Sequence, residues 1–111
     1  SSFDKSLSQI TDLLDGSARI FYATVQPTQG GGPTFAGAVL AEIRPEDHEG
    51  CILGIAVLED YRREGVGDFL ISAIRTAAGG RGAHLSIKLP DYTLPDAAKG
   101  LIEDHKISIA A

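Results

Sequence analysis

Near the middle of the chain, Arg62, Arg63, Gly65 and Gly67 combine positive charge with bare backbone. The two guanidinium groups stand at the mouth of a short segment whose two glycines flank Val66. An apolar run, Ile52 to Leu58, leads in, and an amphipathic stretch, Val66 to Ala78, leads out. The piece reads as a strand, a glycine-bearing loop and a helix N-terminus. Backbone N–H groups at the positive end of a helix dipole suit a phosphate or diphosphate. Glycine lets such a ligand approach closely, and arginine adds charge from the rim.

The same residues resemble a known family. Arg62-Arg63-Glu64-Gly65-Val66-Gly67 fits the pattern Gln/Arg-x-x-Gly-x-Gly/Ala, the acetyl-CoA signature of the GNAT N-acetyltransferase superfamily. The lead-in Val57-Leu58-Glu59-Asp60-Tyr61-Arg62 resembles the family's Val-x-Pro-x-Tyr/Phe-Arg, with Glu59 where proline is usual, and Leu70, Ile71 and Ile74 fit the helix that follows. The clear match covers about residues 35 to 90 and is looser outside. It implies acetyl-CoA as donor, with the pantetheine arm paired along the strand at Ile55, Ala56 and Val57. The diphosphate would rest on the N–H groups of Arg63, Glu64, Gly65, Val66 and Gly67, with Arg62 beside it. It further implies acetyl transfer to a primary amine of a small molecule or protein by direct attack. The family's usual acid is a tyrosine on the penultimate helix, in a pattern like Asn-x-x-Ala-x-x-Leu-Tyr. Here that run reads Pro95 to Ile102: Ala98 and Leu101 fit, Pro95 replaces the asparagine and Ile102 the tyrosine. The chain also resembles the short acetyl-CoA sensors of the pantothenate pathway (the PanZ/PanM type), which bind the thioester and act on a partner protein. That likeness rests on the short length, Arg19-Ile20-Phe21 and the same loop.

Other residues offer candidate acid–base chemistry. Tyr92 is a possible proton donor, and Glu42, His48 and Glu49 are possible bases; histidine is the side-chain type that exchanges protons near neutral pH. His48 and Glu49 also read simply as part of a solvated turn. Asp68, in the first turn of the helix, suits the dipole but would repel phosphate, and is expected to point away. His84 and His105 are far apart and suggest no metal cluster. The triple glycine Gly30-Gly31-Gly32 lacks the Lys-Ser/Thr and the helix of a phosphate-binding P-loop.

Around the loop, periodicity sets out the elements. Phe3, Leu7, Ile10 and Leu14 recur at helical spacing before Asp15-Gly16, predicting a helix over 3–15. Ala18 to Gln26 and Thr34 to Ile43 read as strands, and Cys51 to Leu58 as a central strand covered on both faces. A helix follows from about Gly67 to Ala78. Ala83, Leu85, Ile87 and Leu89 alternate with polar residues as a half-buried strand. A loop from Pro90 to Pro95, a short helix from Asp96 to His105 and a last strand from Lys106 to Ala111 complete the chain. The order α-β-β-β-α-β-α-β, with antiparallel early strands and a parallel crossover over 51–89, is a mixed α/β (α+β) sheet. It agrees with a minimal GNAT fold whose missing edge a second subunit, in a homodimer, could complete.

With 111 residues the chain is expected to form one domain, 1–111. A 43% apolar and 23% charged composition is ordinary for a folded chain, and a net charge of −5 argues against a nucleic-acid binder. No apolar run is long enough to span a bilayer, and the polar N-terminus carries no signal-peptide core. Cys51 is the only cysteine, which excludes an internal disulfide or a cysteine-based zinc site, and it reads as a buried structural thiol. A reducing, cytoplasmic setting is consistent with this.

Overall fold

The computed structural model describes residues 3–10, 17–27, 30–62, 64–88 and 96–110, and for 3–10 and 97 the backbone alone. Six strands form one sheet in sequence order: β1 (Phe3–Ile10), β2 (Ala18–Pro27), β3 (Thr34–Arg44), β4 (Glu49–Val57), β5 (His84–Lys88) and β6 (Ser108–Ala110). Helix α1 (Val66–Ala77) connects β4 to β5, and helix α2 (Asp96–Asp104) precedes β6. The first four strands are antiparallel neighbours, whereas β4–β5 and β5–β6 are parallel. The mixed α+β sheet of the expected fold class is therefore present.

The N-terminal segment differs from the expectation. Residues 3–10 form a strand, not a helix, paired with β2 from Phe3↔Pro27 to Ile10↔Ile20. The helical spacing of Phe3, Leu7 and Ile10 is overridden because β2, rich in β-branched and aromatic residues, presents a free edge that eight residues can pair with. The expected stop at Asp15-Gly16 lies outside the described residues.

Both helices pack on one face of the sheet. Ile71 and Ile74 of α1 are fully buried with Phe21, Val25, Val39, Ile43, Ile52 and Leu85, and Ile102 of α2 packs against the same cluster. Burying a side chain such as Ile74 contributes about 1.5–3 kcal/mol. The central strand is thus not covered on both faces as expected. On the far side Gly54 and Ala56 are exposed, Ile20, Tyr22 and Leu40 are half-buried, and so is Cys51. Cys51 is consequently not a fully buried thiol: it alternates with Gly50 and Ile52, whose side faces the helices.

The turn from β3 to β4 is a short 3-10 turn, Pro45–Asp47, closed by His48 in a left-handed conformation (φ 54°). No described helix is long and apolar enough to cross a membrane.

Candidate active site

The site begins with a defect in β4. Opposite β3, Leu40 pairs with Gly54 and Ala41 with Ile52, so Leu53 is an extra residue, a β-bulge. A bulge bends its strand and increases the local twist. On its other side β4 pairs with β5 from Glu49 to Ile52, and among the described residues the ladder ends there. The bulge therefore coincides with the end of that ladder.

Beyond that point no described residue pairs with the outer edge of β4. Leu58 N–H donates to the Ala36 carbonyl of β3 at 2.8 Å. Backbone groups alternate sides along a strand, so counting back by two turns Ala56 and Gly54 toward β3 and leaves Ile55 and Val57 facing the gap. One of these groups is already used: Arg62 Nε donates to the Val57 carbonyl at 3.1 Å. Ile55 presents both its N–H and C=O, Val57 its N–H, and Ala56 neither. Of the three backbone positions expected to pair with a ligand, Ala56 is the one the structure turns away.

The gap between the strands is a cleft of about 510 Å³. Its walls are mainly apolar, with Ile52 and Ile55 from β4, Ile87 from β5, Ile71 from α1 and Leu101 and Ile102 from α2. Arg62, Gly65, Gly67 and Asp68 bring the start of α1 to the same cleft.

The N-terminus of α1 is left open by its own sequence. Gly65 is the N-cap, in a left-handed conformation (φ 76°, ψ 16°), and supplies no side-chain cap. L-residues pay roughly 1–2 kcal/mol in that conformation, which explains glycine there. The first helical bond of α1 runs from Phe69 N–H to the Gly65 carbonyl at 3.0 Å. The N–H groups of Val66, Gly67 and Asp68 precede it and have no carbonyl within the helix to satisfy them. The expected cradle of N–H groups from Arg63 to Gly67 is narrower than the motif suggested, because Glu64 N–H already donates to the Tyr61 carbonyl. Arg63 lies outside the described residues.

Gly67 has a different reason to be glycine. A Cβ there would meet Leu101 Cδ1 of α2 at 2.7 Å, so the bare Cα admits the second helix. Asp68 was expected to point away, yet it lines the same cleft, with His105 Nε2 2.8 Å from its Oδ1.

The acid–base candidates do not gather at the cleft. Glu42 pairs in register with Cys51 and holds Arg44 at 3.3 Å, while Glu49 starts β4 opposite Arg44. His48 is exposed in the turn before β4, and its ring abuts Gly79. All three stand at the end of β4 away from the gap, roughly 20 Å from Ile55 to Glu49 at strand rise. Tyr92 is outside the described residues. Ile102, at the usual tyrosine position, lines the cleft and brings no proton. Sequence reasoning missed the Leu53 bulge, the engagement of Arg62 by Val57 and the Asp68–His105 contact. Each joins residues whose partnership only the folded chain reveals. His84 and His105 share a second, small cavity with Arg75 and Lys106. Among the described residues no group of three His, Cys, Asp or Glu side chains is placed to hold a metal.

The end of the described β4–β5 pairing and a glycine-led helix N-terminus with no side-chain cap thus line one cleft. The model of the Acetyltransferase (GNAT) family matches residues 5–100. The chain belongs to the GNAT acetyltransferase family. Acyl-CoA-dependent N-acetyltransferase activity is the general chemistry of GNAT proteins, and acyl-CoA is their general donor. No curated protein matches the chain.

Proposed function

We propose that this GNAT chain binds acetyl-CoA in the β4–β5 cleft and transfers its acetyl group to a primary amine. The observation that carries this reading is the coincidence of two features: the outer edge of β4 beyond its described pairing and the uncapped start of α1 line one cleft. The residues present fit the group. Val66, Gly67 and Asp68 N–H groups, at the positive end of α1, suit the diphosphate. Arg62 lines the cleft with its Nε tied to the Val57 carbonyl, and its two terminal nitrogens remain as further donors of positive charge. Ile55 N–H and C=O and Val57 N–H suit the amide-bearing pantetheine arm, as in strand addition. Ile52, Ile71 and Ile87 give the cleft an apolar lining.

When bound, the cofactor supplies an activated acyl group on a thiol that can leave. The chain's part is to hold that group still, to polarise it with a β4 N–H, and to admit the amine. Ile102 brings no ionisable acid to the place of the family tyrosine, so proton donation falls to another group, for which Tyr92 is the candidate.

That same isoleucine favours a second reading: an acetyl-CoA-binding regulator that acts on a partner protein. Thiol release from acetyl-CoA with a panel of small amines and lysine peptides decides between the two. Turnover on any amine supports the enzyme. Saturable binding without turnover, together with a co-purifying partner, supports the regulator.

A further inference from the structure

The first turn of α1 brings an acidic residue to the cleft. Asp68 lines it beside Gly65 and Gly67, and its side chain is 60% exposed. It occupies the third helical position after the Gly65 N-cap. An acidic residue there commonly reaches back to the N-cap N–H, completing half of a capping box. In this helix such a reach would place a negative charge over the N–H groups that an anion needs, and like charges repel at that range.

The structure gives the carboxylate another partner. His105, in the turn between α2 and β6, lies with Nε2 2.8 Å from Asp68 Oδ1, and its side chain is only 19% exposed. It is fixed from a second direction. Arg75, two turns further along α1, donates Nη2 to the His105 carbonyl at 2.8 Å and Nη1 to the Ala83 carbonyl at 2.9 Å. Helix α1 therefore grips His105 twice, once by its ring and once by its backbone. The other charged or titratable neighbours are Asp104 and Lys106 beside it in sequence and His84 across the small cavity. Among the described residues only Asp68 bonds the ring.

We propose, on the cofactor reading above, that His105 is a positioning residue for the diphosphate site. Its ring holds the Asp68 carboxylate in a hydrogen bond and so prevents Asp68 from capping its own helix. The N–H groups of Val66 and Gly67 stay open to the anion. The proposal ties the far end of α2 to the affinity of the cleft through one contact 37 residues long in sequence.

The test is a double-variant cycle read by calorimetry on wild type, H105A, D68A and D68A/H105A. The ligands are acetyl-CoA and S-acetylpantetheine, which lacks the diphosphate. H105A is expected to weaken acetyl-CoA binding roughly five- to tenfold, with S-acetylpantetheine unchanged. D68A/H105A should return to within twofold of D68A, and H105Q, which keeps a donor, should stay near wild type. Equal weakening of both ligands, or a double variant no better than H105A, overturns the proposal by showing a merely structural role. If H105A does not fold, D68A and H105Q decide: D68A must bind acetyl-CoA at least as tightly as wild type, and weaker binding overturns the proposal. Wild type that binds S-acetylpantetheine and acetyl-CoA equally, or neither, overturns the cofactor reading itself.

Discussion

Gly67→Ala separates two reasons for a bare Cα in the first turn of α1: room for a ligand or room for α2. A Cβ at Gly67 would lie 2.7 Å from Leu101 Cδ1 and 3.3 Å from Cδ2, whereas ordinary contact begins at 3.4 Å. Leu101 must then withdraw by roughly 0.7 Å, the difference between those distances. Displacing the end of a flexible side chain costs about 1 kcal/mol. Alanine returns up to about 1 kcal/mol over glycine in helix propensity. The two offset, so the thermal midpoint should move by no more than about 5 °C. Binding responds more, because Leu101 lines the cleft and its displacement narrows it. A penalty of about 1 kcal/mol corresponds to roughly fivefold weaker acetyl-CoA binding in a calorimetric titration. The decisive comparison is Leu101→Ala against Leu101→Ala/Gly67→Ala. With the leucine methyls gone the added Cβ loses the two contacts closer than 3.4 Å, and the two variants should bind within twofold of each other. If Gly67→Ala still weakens binding fivefold in that background, the ligand itself needs the bare Cα, and the assignment of Gly67 to helix packing is wrong.

Further outcomes follow from other contacts. Arg62→Ala removes a cleft-lining guanidinium and its bond to the Val57 carbonyl. Acetyl-CoA binding should weaken about tenfold, with stability within about 1 kcal/mol of wild type because the group is exposed; titration and urea unfolding read the two effects. Ile74→Ala empties a fully buried core position, and urea unfolding should show a loss of about 2–5 kcal/mol. Arg75→Met leaves the Ala83 and His105 carbonyls without their donor. It should cost about 1–3 kcal/mol by the same assay.

How far the sequence disclosed this molecule varies from element to element. The strands over 18–57 and 84–88 and both helices were legible because their apolar residues keep one period and their ends carry glycine or proline. Residues 3–10 were not: Phe3, Leu7 and Ile10 fit a helix, and the competing strand pattern is diluted by Lys5 and Gln9. Pairing with β2, a non-local interaction, determines the outcome. At the site, the loop from Arg62 to Gly67 was legible because its chemistry lies in consecutive residues. The detail was not. Leu53 bulges only because of how β3 pairs with β4, Gly67 faces a leucine 34 positions on, and Asp68 is held by His105. Glu42, His48 and Glu49 were candidates by residue type alone, and strand length carries them away from the gap.

The central claim is that the outer edge of β4 and the first turn of α1 together hold acetyl-CoA. Amide chemical shifts of the isotope-labelled chain, followed during titration with acetyl-CoA, test it most directly. Ile55, Val57, Val66, Gly67 and Asp68 should shift together and saturate, while Glu42, His48 and Glu49 stay still. No shift at millimolar ligand, or shifts centred on the Glu42–Glu49 end of the sheet, would contradict the account.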